Sequence, residues 1–154
     1  MPNHVRNILT INSLEESEVK AVLDYVKGPK SLMDFNSIVP EPEGVDWYTW
    51  RLANWGTKWN AYDVDFDGDA TLEFTTAWSG VDGLVQLVSA KFPYIELLYS
   101  WADEDMGYNV GECSFKGGAM RDENFPEEGS QAALDLAESI WNIEVVEVNG
   151  FENS

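Results

Sequence analysis

Apolar and polar positions alternate, or recur at helical spacing, along most of the chain, and their order predicts interleaved strands and helices. In residues 5–11, Val5, Asn7, Leu9 and Ile11 alternate with Arg6, Ile8 and Thr10, an apolar-rich run suited to an interior strand. Ser13 and Glu16 have the spacing of a capping box, and Val19, Val22, Leu23 and Val26 follow at helical spacing until Gly28-Pro29 stops the run. Pro40 and Pro42 bias the residues before them away from helix, so residues 35–42 read as extended, a short edge strand or a tight loop. In residues 45–55, Tyr48, Leu52 and Trp55 stand at i, i+4 and i+7 with Trp47 and Trp50 beside them, and Gly56 is placed to end the turn. This predicts a short aromatic helix.

A hairpin comes next. Tyr62, Val64 and Phe66 alternate with Asp63, Asp65 and Asp67, and beyond Gly68-Asp69 the residues Leu72, Phe74 and Trp78 alternate with Thr71, Glu73 and Thr75. For both apolar sets to share a face, Phe66 must oppose Leu72 and Val64 must oppose Phe74, which sets Asp65 opposite Glu73. Like charges directly across a ladder repel, so this face is expected to be open to screening water. Ser79 then precedes a second helix with Val81, Leu84, Val85, Val88 and Phe92 on one side, ended before Pro93. Residues 94–101 read as a strand. Residues 106–115 read as a weaker one, interrupted by Gly107 and Gly111 and suited to an edge. A last helix over residues 131–141, capped by Ser130, uses Leu134, Ala137, Ile140 and Trp141. Residues 143–148 add a strand or lie over the core, and residues 149–154 are expected to fray.

This order approximates a split β-α-β, ferredoxin-like layer: an α+β fold in which an antiparallel sheet carries two helices on one face. The aromatic segment is an insertion and residues from about 119 to 154 form a C-terminal helix extension. With 154 residues, 44% of them apolar and 13% aromatic, the chain has material for one core, and a single domain over 1–154 is expected.

Charge changes the picture most. Nine Lys and Arg against 28 Asp and Glu give a formal charge of −19, which repels phosphate backbones and argues against direct nucleic-acid or anionic-membrane binding. A single cysteine, Cys113, allows no intramolecular disulfide and points to the cytoplasm. Residues 1–12 contain no long apolar run behind a basic segment, and no stretch approaches the roughly 18 apolar residues of a membrane span, so neither secretion nor membrane insertion is expected.

Several short patterns carry candidate chemistry. Asp63-Val64-Asp65-Phe66-Asp67-Gly68-Asp69 matches the start of a calcium loop, but Phe74 stands where the bidentate Glu belongs, and the wet face of a hairpin accounts for the same residues. The block Trp55-Gly56-Thr57-Lys58-Trp59 reads either as a ligand-facing platform with Lys58 as its cation, or as a helix-ending Gly with two Trp closing the core and Lys58 laid along an indole; the spacing favours the second. His4 is the sole histidine, which excludes multi-histidine metal designs within one chain, and no Ser-His-Asp or Cys-His site is assigned to it. Cys113 has no nearby base and reads as a buried spectator. Gly111 to Gly118 lacks G-K-[ST] and is no phosphate loop. No catalytic residue, metal site or cofactor is assigned.

The stretches Trp55-Gly56-Thr57-Lys58-Trp59-Asn60-Ala61-Tyr62-Asp63-Val64 and Phe74-Thr75-Thr76-Ala77-Trp78-Ser79, supported by Asn7-Ile8-Leu9-Thr10-Ile11, Ile38-Val39-Pro40-Glu41-Pro42 and Phe92-Pro93, resemble the Api92-like or YubB-like ferredoxin-like proteins of phages and plasmids. The resemblance runs from the first strand to about Phe115. It implies the fold and a mobile-element origin, and no catalytic residues. The chain departs from the family at Gly80-Val81, where prolines are usual, and its last forty or so residues read as an addition.

These readings combine into a leading expectation: a small acidic accessory protein that inhibits a host nucleic-acid-processing or defence complex by DNA mimicry, in the manner of an anti-CRISPR or anti-restriction protein. Its partner is a basic host protein or nucleoprotein complex. The residues assigned to that contact are Asp63, Asp65, Asp67, Asp69 and Glu73 of the hairpin, with Asp103, Glu104 and Asp105. The alternatives are a ligand-binding or enzymatic domain with a pocket at the aromatic insertion, and a calcium-binding or structural accessory protein.

Overall fold

A computed structural model describes residues 3–145. The chain runs β1 (His4–Asn12), α1 (Glu16–Val26), α2 (Phe35–Ile38), α3 (Trp47–Asn54), β2 (Tyr62–Phe66), β3 (Thr71–Ala77), α4 (Asp82–Lys91), β4 (Glu96–Asp103), β5 (Val110–Lys116), β6 (Ala119–Asn124) and α5 (Gln131–Trp141). The strands form one sheet in the order β2-β3-β1-β4-β5-β6, with every neighbouring pair antiparallel. Two β-α-β units therefore interlock: β1 and β2 flank β3, while β3 and β4 flank β1. Of the segment expected to add a strand or lie over the core, residues 143–145 form no strand and Val145 packs against the α5 side of the core, while the rest of it and the tail lie outside the described residues.

β1 is apolar at consecutive positions because both faces of the sheet are covered. Leu9 and Ile11 face one way, where they meet Leu72, Phe74, Leu97, Tyr99 and Phe115 beneath Val19 and Val22 of α1 and Leu84, Val85 and Val88 of α4. Ile8 faces the other way and packs with Ala102, Val110 and the Ala133, Ala137 and Ile140 stripe of α5. The two expected helices thus share one face, and the C-terminal helix takes the opposite one, capped by Ser130, whose hydroxyl accepts from the Ala133 N–H.

Local chemistry moves four details away from the sequence pattern. The capping box does not form: Glu15 is the N-cap of α1, and the Ser13 hydroxyl instead accepts from the Glu15 N–H and donates to Glu18. Residues 35–38 make one helical turn, because Asp34 caps it by accepting from the Asn36 N–H, and only Val39, directly before Pro40, is forced extended. The strand over residues 110–116 is not an edge, since β6, exposed along its whole length, lies outside it. In the hairpin, Phe66 faces Leu72 and Asp65 faces Glu73, as the pattern requires. A register shift between Tyr62 and Asp65 then brings Tyr62 opposite Thr75, with Asp63 at φ 51°, and the Val64–Phe74 pair is not made.

Candidate functional site

The eight assigned carboxylates divide into those that build the fold and those that face solvent. Glu73 sits 3.0 Å from Arg6 Nε with its side chain only 18% exposed, so this part of the face is not open water. The contact is an ion pair off the hydrogen-bond axis, for Nε has no partner in line with its N–H. The same guanidinium donates to the carbonyls of Ile140 (2.9 Å), Trp141 (2.7 Å) and Ile143 (2.5 Å), where α5 ends. Asp67 is a turn-former: one of its oxygens accepts from the N–H groups of Asp69, Ala70 and Thr71. Asp103 is buried and accepts from Asn3 Nδ2, Asn109 Nδ2 and the Asp105 N–H. Asp65 is half-buried, while Asp63, Asp69, Glu104 and Asp105 are exposed. Asp69 stands at the hairpin turn, and the opposite end of the sheet holds Asp63 and Glu104, both near enough to Tyr62 for their charges to act on its phenol.

That end of the sheet is where the two sequence blocks around Trp55 and Trp78 converge. The Thr57 hydroxyl donates to the Ala77 carbonyl (2.7 Å) inside the protein, and the Ser79 hydroxyl donates to the Gly56 carbonyl (2.6 Å), so the block after α3 is tied to the end of β3. Trp55 closes the core, 2% exposed, with its indole N–H on the Val39 carbonyl. Trp59 does not close the core: it is 37% exposed, and Trp78 is 49% exposed. Between them lies Lys58, its Nζ 4.7 Å from the Trp59 ring centroid and 4.3 Å from that of Trp78. Trp78 adopts φ 68°, a conformation rare for a bulky side chain. It is held there by its N–H on the Asn3 carbonyl and by Asn109 Nδ2 on its own carbonyl.

Tyr62 continues this surface. Its ring meets Trp59 edge-on at 6.2 Å and His4 at 5.7 Å, and its hydroxyl lies 2.6 Å from His4 Nδ1. Partial burial, with the negative charges of Asp63 and Glu104, raises the Tyr62 phenol above its ordinary value. The Glu104 carboxylate also accepts from the His4 N–H.

Elsewhere, the chemistry is that of scaffold. Burial first, and then the charges of Asp82, Glu123 and Glu112, push the Cys113 thiol up to about 12, which removes its thiolate at neutral pH. Among the described residues, no three His, Cys, Asp or Glu side chains converge on a point. A groove of about 370 Å³ on the α5 face is lined by Thr10, Leu98, Ser100, Glu112, Ser114 and Asp122, away from the aromatic insertion. Neither this groove nor β6 beside it had a sequence signal, because Ala119 to Asn124 has no apolar alternation. The pairing of Trp59 with Trp78 was hidden for another reason: it depends on a left-handed backbone at a residue where only Gly, Asn or Asp would have announced one. Among the described residues no helix is long and apolar enough to cross a membrane.

Residues 54–144, more than half of the chain, match the model of the family described as the ferredoxin-like domain in Api92-like protein. The match runs through β6 and α5, so these elements are part of the family's domain and not an addition to it. No curated protein matches the chain, and no solved structure does.

Proposed function

The chain belongs to the Api92-like family by its ferredoxin-like domain, and from that position we propose a non-enzymatic inhibitor. It acts as an accessory protein of a phage or other mobile element, and binds a basic nucleic-acid-processing or defence complex of the host cytoplasm in place of DNA. The observation that carries this reading is how little of the acidity is neutralised by basic side chains. Of 28 acidic residues, ion pairs among the described residues engage Glu73, Asp24 and Glu41 alone. The remaining charge is far beyond what solubility requires, and an unneutralised surface of one sign speeds encounter with, and selects for, a basic partner. Asp63 and Glu104 belong to this surface beside Tyr62, whose ring meets the exposed Trp59, and the exposed Asp105 follows Glu104 in the chain.

The test is affinity capture from the host at low and high salt, followed by competition with duplex DNA for the captured protein. The expected result is a nucleic-acid-processing protein retained at low salt, released at high salt, and displaced by the duplex. No such protein at low salt, or retention indifferent to DNA, contradicts the reading.

A further inference from the structure

We infer that Trp59 and Trp78 form an aromatic clamp for an arginine side chain of a basic protein partner, and that Lys58 occupies the clamp in the free protein. The inference rests on the function proposed above and adds the anchor of that contact. Three observations converge on it. Both indole centroids lie within the ~6 Å over which an aromatic face attracts a cation, so the pair already accommodates one. In a chain with 28 acidic residues, the Lys58 ammonium takes part in no ion pair among the described residues, so the rings and not a carboxylate hold it. Trp78 is kept at φ 68° by Asn3 and Asn109, a strained backbone that a ring serving only as filler would not need.

The clamp's occupant is exchangeable on chemical grounds. An ammonium is compact and strongly hydrated on a flexible stem, whereas a guanidinium is planar, weakly hydrated and able to stack flat on an indole. Both tryptophans reach solvent, and Asp63 and Glu104, which flank Tyr62 beside Trp59, supply negative charge for an incoming cation. An arginine arriving with a basic partner therefore displaces Lys58 into water, where its charge is readily solvated.

The test titrates nona-arginine peptide into the wild-type protein, Lys58→Met, Trp59→Leu and, as a control for the lost charge, Lys116→Met, whose side chain is exposed at the other end of the sheet, opposite Glu96. Affinity is read by calorimetry, and contact is read from the indole N–H signals in nuclear magnetic resonance spectra. Removing the resident cation should tighten binding about tenfold relative to Lys116→Met, with the Trp59 and Trp78 signals shifting most. Trp59→Leu should weaken binding with an unchanged melting temperature. Equal affinity of Lys58→Met and Lys116→Met, or indole signals that do not move, overturns the clamp while leaving a charge-driven contact standing. No binding by any of the proteins overturns both the clamp and the proposed function.

Discussion

The Tyr99 hydroxyl donates to Asn7 Oδ1 and accepts from the Val81 N–H, deep in the core beside Cys113. Both groups are neutral there, and burial is the first cause that raises each: Tyr99 well above its ordinary value, Cys113 to about 12. A raised folded-state value means that the folded protein holds a proton which the unfolded chain releases first. The stability these groups contribute is complete below about pH 9, where the unfolded cysteine begins to ionise, and is lost as pH rises toward 12. Urea midpoints measured from pH 8 to pH 11 should therefore fall on the alkaline side, and Cys113 in the folded protein should resist a thiol reagent at pH 8. The spectator role of Cys113 was legible in the sequence from its neighbours. The roles of Asp67 and Asp103 were not, because a carboxylate that accepts backbone N–H groups has the same spelling as one that faces water.

Among the elements, α5 depends on a contact made a whole chain length away. Arg6, on the face of β1 opposite Leu9, binds the carbonyls at the C-terminal end of α5 and pairs with Glu73 of β3, and so fixes the helix to the sheet centre. Arg6→Ala strips three carbonyls of their donor and leaves Glu73 half-buried and unpaired, which should cost about 3–5 kcal/mol in chemical denaturation. Glu73→Gln, which leaves the carbonyl contacts in place, should cost about 1–2 kcal/mol. A small loss for Arg6→Ala would mean that α5 is held by its Ala133, Ala137 and Ile140 stripe alone. The elements themselves were largely legible: β1, α1, the hairpin, α4, β4 and α5 follow the apolar periodicity, whereas α3 forms where the aromatic spacing placed a helix but leaves Tyr48 and Leu52 of that spacing exposed. The exception is the β5–β6 pair. Gly111 suggested a weak edge strand, yet a Cβ there would meet Trp101 and Phe125 at 2.7 and 2.8 Å, so the glycine marks a close approach of rings to an interior strand.

At the scale of the whole molecule, the sequence gives the sign and size of the charge but not its geography. Alternation in the hairpin predicted a continuous acidic row; folding divides it, with Glu73 paired to Arg6, Asp67 turned into its loop, and Asp63 set out of the ladder by the register shift, at φ 51°. Long-range pairing of β1 with β3 and β4 is what brings Asp63, Glu104, Trp59 and Trp78 to one end of the sheet, and no spacing within a single segment encodes that. The acidic surface to test is therefore this end, and not the row. The most direct measurement compares the wild-type protein with Asp63→Asn/Glu104→Gln/Asp105→Asn for binding to the captured host partner across a series of salt concentrations. The triple variant should keep its melting temperature, bind about tenfold more weakly at low salt, and show a flatter dependence of affinity on salt. Equal affinity and equal salt dependence in the two proteins would contradict the account.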